Sequence, residues 1–350
     1  MRPESRFSSP VWKRRLRTGI DQFARWSLLL GWFERRMRRG TTVLMYHRVL
    51  PDHEAARYPF ASLAIPVSAF REQMSLLAER CHVAPLSEHL RSSARAGAHD
   101  RPRVAVTFDD GYADNAEIAA PILEDLGLRA TFFVTTDFVA GHAPLWFDHA
   151  VVGLACTSAA ARDQLARAHF APRTAERLIT APLAEWVAQL KQLAPDARAE
   201  FATALRQYGA PRALPELYRA LSPGQVGALA ARGHEIGSHS VSHPLLPQLA
   251  GVELARELTA SRDTISEWTG TRPEIFAYPN GDADARTRDA TRHAGYAYAC
   301  TVEPGIHRTI DDPLSIRRVD ITPHGTLRAP GLSDPVAFRS EYSLLRRSLR

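Results

Sequence analysis

Cysteine is scarce in this chain, and only Cys81, Cys156 and Cys300 occur among its 350 residues. Their wide spacing gives neither a CxxC pair nor the dense framework of a small disulfide-stabilised protein. We therefore expect three small buried hydrophobic side chains, and a protein that belongs to a reducing compartment.

A hydrophobic stretch long enough to cross a membrane is not found either. The apolar run at residues 26–33 is far shorter than the roughly 20 residues that a transmembrane helix requires. More arginines follow this run, where a secretory signal would carry the small residues of a cleavage site. We predict a cytoplasmic protein with no signal peptide and no transmembrane helix.

Positive charge is not spread over the whole chain, although the formal net charge is +6. Residues 1–40 hold eleven Lys/Arg and three acidic residues, a net charge of +8. The other 33 Lys/Arg and 35 acidic residues therefore leave a net charge of −2 on the body of the protein. A nucleic-acid-binding domain carries its basic charge on the domain itself, so we expect no nucleic-acid partner.

The basic N-terminal arm has two interpretations. Its arginines flank the apolar run, as in an amphipathic helix that lies on an anionic membrane surface. Residues 11–39 would then make peripheral contact with the inner membrane surface. Alternatively, the arm is a solvated helix that packs on the folded domain.

The rest of the sequence has an ordinary globular composition, in which short β-branched and aromatic runs alternate with longer helical stretches. The predicted strands are residues 42–46, 104–108, 130–134, 235–237 and 275–278. The predicted helices are residues 67–80, 115–126, 223–232, 251–268 and 284–294. This alternation predicts an α/β fold with a parallel sheet. If the sheet closes into a barrel, we expect the catalytic and binding residues at the C-terminal ends of its strands.

Residues from about 145 to 222 interrupt this alternation, because they are rich in Ala, Arg and Leu and contain five prolines. We interpret them as a helical insertion or lid, since roughly 75 residues would make only a small core by themselves. The predicted organisation is a basic arm at 1–40, an α/β domain at 41–325 and a C-terminal tail at 326–350.

The strongest chemical motif is TFDDG at residues 107–111, which directly follows a predicted strand. Asp109 and Asp110 point in different directions, and Gly111 frees the turn behind them. One carboxylate can therefore bind a cation while the other keeps a lone pair for proton transfer. An Asp-Asp-Gly turn that only caps a helix is the alternative.

A second motif, HSVSH at residues 239–243, follows another predicted strand. Two histidines four residues apart have the spacing of metal ligands on one helical turn, although Pro244 indicates an irregular turn. Ser240 stands where the HExxH metalloproteases have the Glu that acts as their general base, so a base must come from elsewhere in this chain. Two unrelated surface histidines are the alternative.

Together the two motifs supply two histidines and a carboxylate, the ligand set of a catalytic zinc site with one open position. Asp110, His239 and His243 form this set, and Asp109 remains as a base beside the metal.

TFDDG and HSxSH, each after a predicted strand, resemble the first two motifs of the NodB-type polysaccharide deacetylases of carbohydrate esterase family 4. The likeness continues at residues 129–134, 229–239 and 276–281, and it covers roughly residues 42–320. The resemblance implies a distorted (β/α) barrel and the removal of N-acetyl groups from an acetylated amino sugar.

By the same resemblance, Asp109 matches the catalytic base, and Asp110, His239 and His243 match the metal ligands. The expected cofactor is a divalent metal, zinc first, with cobalt, nickel or iron as the other ions of this ligand set. The bound ion activates water and polarises the acetyl carbonyl, and a backbone N–H near Tyr278 is expected to hold the oxyanion.

Two positions depart from the family pattern. Many relatives have an arginine that orients the base at the position of Ala277, so we predict that Arg318 does this here, with an exposed strand arginine as the alternative. The family draws its general acid from a late motif, where this chain offers His324. His47 follows the first predicted strand, and we prefer it as a catalytic-site residue.

Three functions are compatible with these residues. The first is a carbohydrate N-deacetylase acting on a polysaccharide, oligosaccharide or lipid-linked sugar in cell-surface or exopolysaccharide synthesis. The second is an inactive sugar-binding protein on the same fold, which would not require the spare base Asp109. The third is a metal-dependent amidase that acts on a non-sugar amide.

Overall fold

The computed structural model describes residues 30–344 except residues 33, 93–99, 212, 309 and 330. Most of the basic arm, and the end of the tail at residues 345–350, therefore lie outside the described residues. In the described part of the chain, no helix is both long enough and apolar enough to span a membrane.

The described chain forms strands and helices in alternation. The strands are β1 (Thr41–Tyr46), β2 (Arg48–Leu50), β3 (Ala64–Pro66), β4 (His82–Val83), β5 (Arg103–Phe108), β6 (Thr131–Val134), β7 (Glu235–Ser238), β8 (Ile275–Ala277), β9 (Tyr298–Cys300), β10 (Ile306–His307), β11 (Val319–Asp320), β12 (Leu327–Ala329) and β13 (Leu332–Ser333). The α-helices are α1 (Asp52–Ala55), α2 (Val67–Arg80), α3 (Leu86–Ser92), α4 (Ala120–Asp125), α5 (Thr136–Val139), α6 (Trp146–Cys156), α7 (Ala159–His169), α8 (Pro172–Thr180), α9 (Leu183–Leu190), α10 (Pro195–Gln207), α11 (Pro223–Ala231), α12 (Gly251–Thr269), α13 (Ala285–His293), α14 (Pro323–Thr326) and α15 (Pro335–Tyr342).

The central sheet has the strand order β10-β1-β5-β6-β7-β8-β9, with β11 also paired to β1 and β4 to β5. Its pairings are parallel except that of β10, which runs antiparallel to β1. Every residue of β1, β5 and β6 is buried, because helices cover a parallel sheet on its faces. The predicted α/β fold is confirmed, as a curled parallel sheet that forms a half-barrel.

One short segment joins the two sides of this curled sheet. Ile316 forms a bridge to Cys300 on β9, and β11, which begins at Val319, pairs with β1. Arg318 lies between these two pairings and is fully buried. The segment thus places Arg318 in the protein interior, although its neighbours in the sequence give little indication that this arginine is buried.

The segment predicted as an insertion forms helices α6 to α10, between β6 and β7. These helices pack around their own cluster of buried side chains, which includes Leu154, Trp186 and Phe201. A second cluster connects α6 and α9 to the body of the protein, through Tyr58 and Tyr112 among others. The insertion therefore has a small core and is packed against the sheet domain.

The predicted elements match the observed ones within one or two residues, apart from the predicted helix at 115–126. Its first part, Asn115–Ala119, is a π-helix, and α4 follows it. Asn115 in this π-helix donates a hydrogen bond from Nδ2 to the carbonyl oxygen of His47, at 2.9 Å. Such π-helical turns often occur at functional sites.

Candidate active site

The two adjacent carboxylates lie in the turn at the C-terminal end of β5. Asp110 has a φ of 78° and Gly111 a φ of 92°, so the backbone reverses sharply after Asp109. The φ angle of Gly111 favours glycine, and a Cβ there would also make a tight contact of 3.2 Å with a methyl carbon of Val139. This turn directs the two neighbouring carboxylates to different partners.

The two histidines lie in an irregular loop at the end of β7, and not on a helical turn. Ser240 and His243 have φ angles of 70° and 56°, and the hydroxyl of Ser240 accepts a hydrogen bond from the His243 N–H at 3.0 Å. Glu257 on α12 accepts the N–H groups of Val241 and Ser242, at 2.8 and 3.0 Å. These bonds hold the loop in a shape that brings both imidazoles to one side.

The loops bring Asp110, His239 and His243 together. Oδ1 of Asp110 lies 3.5 Å from Nε2 of His239 and 3.4 Å from Nε2 of His243, and all three side chains are buried. Nδ1 of His239 lies 2.7 Å from the carbonyl oxygen of Ala277. This contact makes Nδ1 the donor, so Nε2 keeps its lone pair toward Asp110.

This group fits a divalent metal. One ligand atom from each of the three residues lies within 4.8 Å of the others. Oδ2 of Asp110 is buried and, among the described residues, accepts no hydrogen bond. A buried carboxylate oxygen without a partner is costly in a folded protein, whereas a cation in this position would satisfy it. Two imidazoles and a carboxylate are donors that zinc and related ions accept.

The ionisation of the group also suits a cation. Burial raises the pKa of Asp110, but the hydrogen bond and charge of His243, together with the charges of His47 and His239, lower it to a value well below the usual range. Burial lowers the pKa of His239 to about 4. Near neutral pH the carboxylate is therefore charged and the His239 imidazole is neutral, the forms that bind metal.

Asp109 is held by Arg318 in a two-pronged ion pair. Its Oδ1 and Oδ2 accept hydrogen bonds from the two terminal nitrogens of the guanidinium, at 2.6 and 2.7 Å. Burial raises the pKa of Asp109, but the charge and hydrogen bonds of Arg318, together with the charges of His239 and His47, lower it below its usual value. The structure thus brings Arg318 to Asp109, and the carboxylate is ionised and fixed in direction.

A cavity of about 270 Å³ opens beside these groups. Asp109, Asp110, His239 and His243 line it on one side. Helix α9 of the insertion forms another wall, with Ala184, Val187, Ala188 and, just after its end, Lys191. Part of the insertion is therefore a wall of the site.

His47 lines this cavity, as we expected of a residue that follows the first strand. His324, in contrast, is exposed on α14 and is not among the residues that line the cavity. Of the two histidines considered as general acid, His47 alone lies beside the carboxylates.

Tyr278, near which we expected a backbone donor for the oxyanion, uses its own donors elsewhere. The N–H of Tyr278 donates to the carbonyl oxygen of Cys300 at 3.0 Å, and its hydroxyl donates to that of Leu314 at 3.1 Å. Tyr278 is fully buried in a hydrophobic cluster with Phe276 and Tyr296. Both of its donors are thus used within the fold.

Phe147, Lys191 and Asn280 also line the cavity, although none of them was predicted as a site residue. The ring of Phe147 lies 5.2 Å from that of His243 in an edge-on contact, and Nζ of Lys191 donates a hydrogen bond to Oδ1 of Asn280. Asn280 stands in the family-like stretch 276–281, so its position was a usable signal. Lys191 belongs to the insertion, where the family pattern offers no guide.

Comparisons with known proteins support a common fold. YxkH of Bacillus subtilis, which bears the name of a polysaccharide deacetylase, is 20% identical over 294 residues, 83% of this chain and 75% of that protein. The deacetylase PplD of Streptococcus pyogenes, solved with acetate, has a TM-score of 0.55 and 18% identity over 82% of this chain and 94% of PplD. IcaB from Ammonifex degensii has a TM-score of 0.52 and 20% identity over 82% of this chain and 93% of IcaB.

The polysaccharide deacetylase family model matches residues 96–299, which include both carboxylates, both histidines and the whole insertion. The match covers more than half of the 350 residues. This chain therefore belongs to the polysaccharide deacetylase family, and it is an enzyme that hydrolyses amide bonds.

Proposed function

We propose that this enzyme removes N-acetyl groups from an acetylated amino sugar in a polysaccharide, an oligosaccharide or a lipid-linked sugar. The observation that carries the proposal is the placement of an arginine-held carboxylate, Asp109, beside the cluster of Asp110, His239 and His243. A protein that only bound sugar would need no such base next to a metal site.

We propose that Asp110, His239 and His243 hold a divalent ion, zinc in the first place and otherwise cobalt, nickel or iron. When bound, such an ion supplies a Lewis acid that activates water and polarises the acetyl carbonyl. Asp109 takes the proton that the attacking water loses as its oxygen bonds to the acetyl carbon. Arg318 keeps this carboxylate ionised and directed.

The second half of the reaction breaks the bond between the acetyl carbon and the sugar nitrogen. The departing nitrogen must gain a proton to leave as an amine, and we assign this proton to His47. His47 lines the same cavity as Asp109, and Asn115 fixes its backbone through the bond to its carbonyl oxygen. Acetate and the free amino sugar are the products.

The experiment that tests this function measures acetate release from N-acetylglucosamine oligomers and acetylated polysaccharides. The protein is stripped of metal and then supplied with zinc, cobalt, nickel or iron. We expect release only with metal, and the fastest ion identifies the preferred one. Release from stripped protein would overturn the metal dependence.

Two other results would overturn the deacetylase. Metal-loaded protein that binds the oligomers but releases no acetate would indicate a sugar-binding protein. Hydrolysis of small cyclic or acetylated non-sugar amides, without any action on sugars, would indicate an amidase.

We further propose that the basic arm rests on the anionic inner surface of the membrane, where precursors of cell-surface polysaccharides are available to a cytoplasmic enzyme. In its described part, Arg35, Arg36 and Arg39 are exposed around Trp32, which is 53% exposed. Arginine and exposed tryptophan are typical of such interfacial helices. Cosedimentation with vesicles of phosphatidylglycerol, but not phosphatidylcholine, would support this contact, and no binding to either would overturn it.

A further inference from the structure

Lysine is nearly absent from this protein, which contains 44 Lys/Arg but only Lys13 and Lys191 among them as lysines. All of the other Lys/Arg positions are arginine. Yet Lys191 is the only Lys or Arg among the described residues that line the cavity of the active site. A lysine at this place differs from arginine in presenting three donors around a compact charge on a flexible stem.

The position of Lys191 is set by the insertion. It directly follows α9, its N–H donates to the carbonyl oxygen of Val187, and its own carbonyl accepts from Nε2 of Gln248 at 3.2 Å. The backbone is therefore held at both ends of the residue. The half-buried side chain extends from this point into the cavity.

The ammonium group of Lys191 bonds to Asn280, and Asn280 is itself oriented. Nδ2 of Asn280 donates to a carboxylate oxygen of Asp282 at 2.7 Å, so its Oδ1 faces Lys191 and accepts from Nζ. Asn280 uses one of the three donors of the ammonium group. Within the described part of the chain the other two donors have no acceptor, so they can bind oxygen atoms of a ligand in the cavity.

Lys191 and Asn280 stand on the boundary between two cavities. Both residues line the cavity of about 270 Å³ with the carboxylates and histidines, and both line a neighbouring cavity of about 370 Å³. The second cavity also presents polar groups from Gln248, Asp282 and Asp284. Carboxylates and amides are suited to the hydroxyl groups of a neutral sugar, and two carboxylates disfavour an anionic one.

We propose that Lys191 is a substrate-binding residue that the insertion adds to this deacetylase, donating hydrogen bonds to a neutral sugar unit in the second cavity. This unit is the neighbour of the acetylated unit that lies beside Asp109 and Asp110. The inference rests on the proposed function. It makes the enzyme selective for oligosaccharides over the single acetylated sugar.

The first test compares Lys191→Met with the wild type on N-acetylglucosamine and its di- to tetrasaccharides. We expect KM for the oligosaccharides to rise roughly 10- to 100-fold, the effect of one lost charge-assisted hydrogen bond, and to rise much more than KM for the monosaccharide, while the metal content stays that of the wild type. Lys191→Arg should recover part of the loss. Arg206→Met, which removes a charge from an exposed part of the same insertion, is the matched control and should change nothing.

The second test does not depend on turnover. Reductive methylation of amines is followed by mass spectrometry in metal-loaded Asp109→Asn, with and without the tetrasaccharide, and Lys13 is the internal reference. Slower methylation of Lys191 alone in the presence of the tetrasaccharide supports the proposal. Equal methylation rates at Lys191, together with an unchanged KM in Lys191→Met, would overturn it.

These outcomes separate the inference from the proposed function. If the wild type releases acetate but Lys191 affects neither KM nor methylation, the deacetylase stands and the role of Lys191 falls. If no sugar is deacetylated, the proposed function falls, and the methylation test still decides whether a sugar occupies this place.

Discussion

Two neighbouring aspartates of this enzyme have different partners because of one backbone feature. The positive φ angle of Asp110 turns the chain between the two side chains, so Asp109 meets an arginine and Asp110 meets two histidines. Both carboxylates remain ionised in a buried site because each has its own cationic or hydrogen-bonding neighbour. The proposed base and the proposed metal ligand are thus adjacent in sequence but have separate partners.

Replacing Asp109 with Asn tests this division. The amide keeps the shape of the side chain but cannot accept a proton, so we expect kcat to fall by about 100- to 10,000-fold. The metal content should remain that of the wild type, because Asp110, His239 and His243 are untouched. Acetate release and metal analysis on the same sample provide the two measurements. Lost metal with retained activity would mean that the two aspartates have the opposite roles.

The role of Arg318 is tested by Arg318→Lys. Lysine keeps the charge but not the two-pronged contact, so the pKa of Asp109 should rise toward its ordinary value. Because the ionised form is then lost at a higher pH, the acid limb of the kcat/KM profile should shift upward in pH, and kcat should fall by roughly tenfold or more.

The neighbouring substitution Arg317→Lys is the control, since Arg317 is exposed and lies 3.9 Å from Glu303. It should leave the profile unchanged. An unshifted acid limb in Arg318→Lys would mean that Arg318 does not set the ionisation of Asp109.

At the scale of single residues, the sequence predicted which residues belong to the site better than it predicted which residues contact each other. Asp109, Asp110, His239 and His243 were recognisable because each follows a strand in a short motif. For Arg318 the sequence left two alternatives, an arginine that orients the base and an exposed strand arginine. Its partner Asp109 lies 209 positions away in the sequence. A motif also cannot show that both donors of Tyr278 are used by Cys300 and Leu314.

At the scale of elements, the close packing of the insertion gives a specific expectation. Gly153 on α6 faces α10, and a Cβ at this position would lie 2.6 Å from a methyl carbon of Leu205 and 3.0 Å from the Cβ of Ala210. Gly153→Ala should therefore force α6 and α10 apart and lower the free energy of unfolding by about 1–3 kcal/mol.

Denaturant unfolding followed by circular dichroism would measure this change. Gly224→Ala on α11 is the matched control, because its Cβ would meet only the Ser222 hydroxyl at 3.9 Å. The control should be neutral or slightly stabilising, since alanine favours helix more than glycine does. Equal effects at both positions would contradict close packing at Gly153.

The elements were largely predictable because the apolar periodicity of strands and helices is a local property. The π-helix Asn115–Ala119 was not, since its pattern of apolar residues resembles that of an α-helix. Pro244 indicated an irregular turn after the histidines, but the contact that shapes their loop escaped prediction, because Glu257, which accepts its N–H groups, lies on a different element.

For the whole molecule, a buried acid predicts how stability depends on pH. Burial raises the pKa of Asp148 to about 7, against the lowering effect of the hydrogen bond from Tyr112. In the unfolded chain this carboxyl ionises near pH 4. Between these values the unfolded chain releases a proton that the folded protein keeps, so Asp148 makes the protein less stable as the pH rises from about 4 to about 7.

Asp148→Asn removes the contribution of this carboxyl to the pH dependence of stability. The side-chain carbonyl of the new Asn can still accept the hydrogen bond from the Tyr112 hydroxyl. We expect the variant to have a higher Tm than the wild type at pH 7.5, and the difference to shrink toward pH 4. Thermal unfolding over this range is the measurement, with the exposed Asp196→Asn as control. A Tm difference that does not vary with pH would show that Asp148 is ionised in both states.

The sequence by itself determined the chemistry and class of this protein. The carboxylate pair, the histidine pair and the alternating elements are each written within a few consecutive residues, and neighbours in the chain remain neighbours after folding. The tertiary structure decided which distant groups complete the site. The closing segment at residues 316–320 brings Arg318 to Asp109, and the packing of α9 brings Lys191 to Asn280. Such pairings depend on how the sheet curls and the insertion packs, and these are properties of the whole chain.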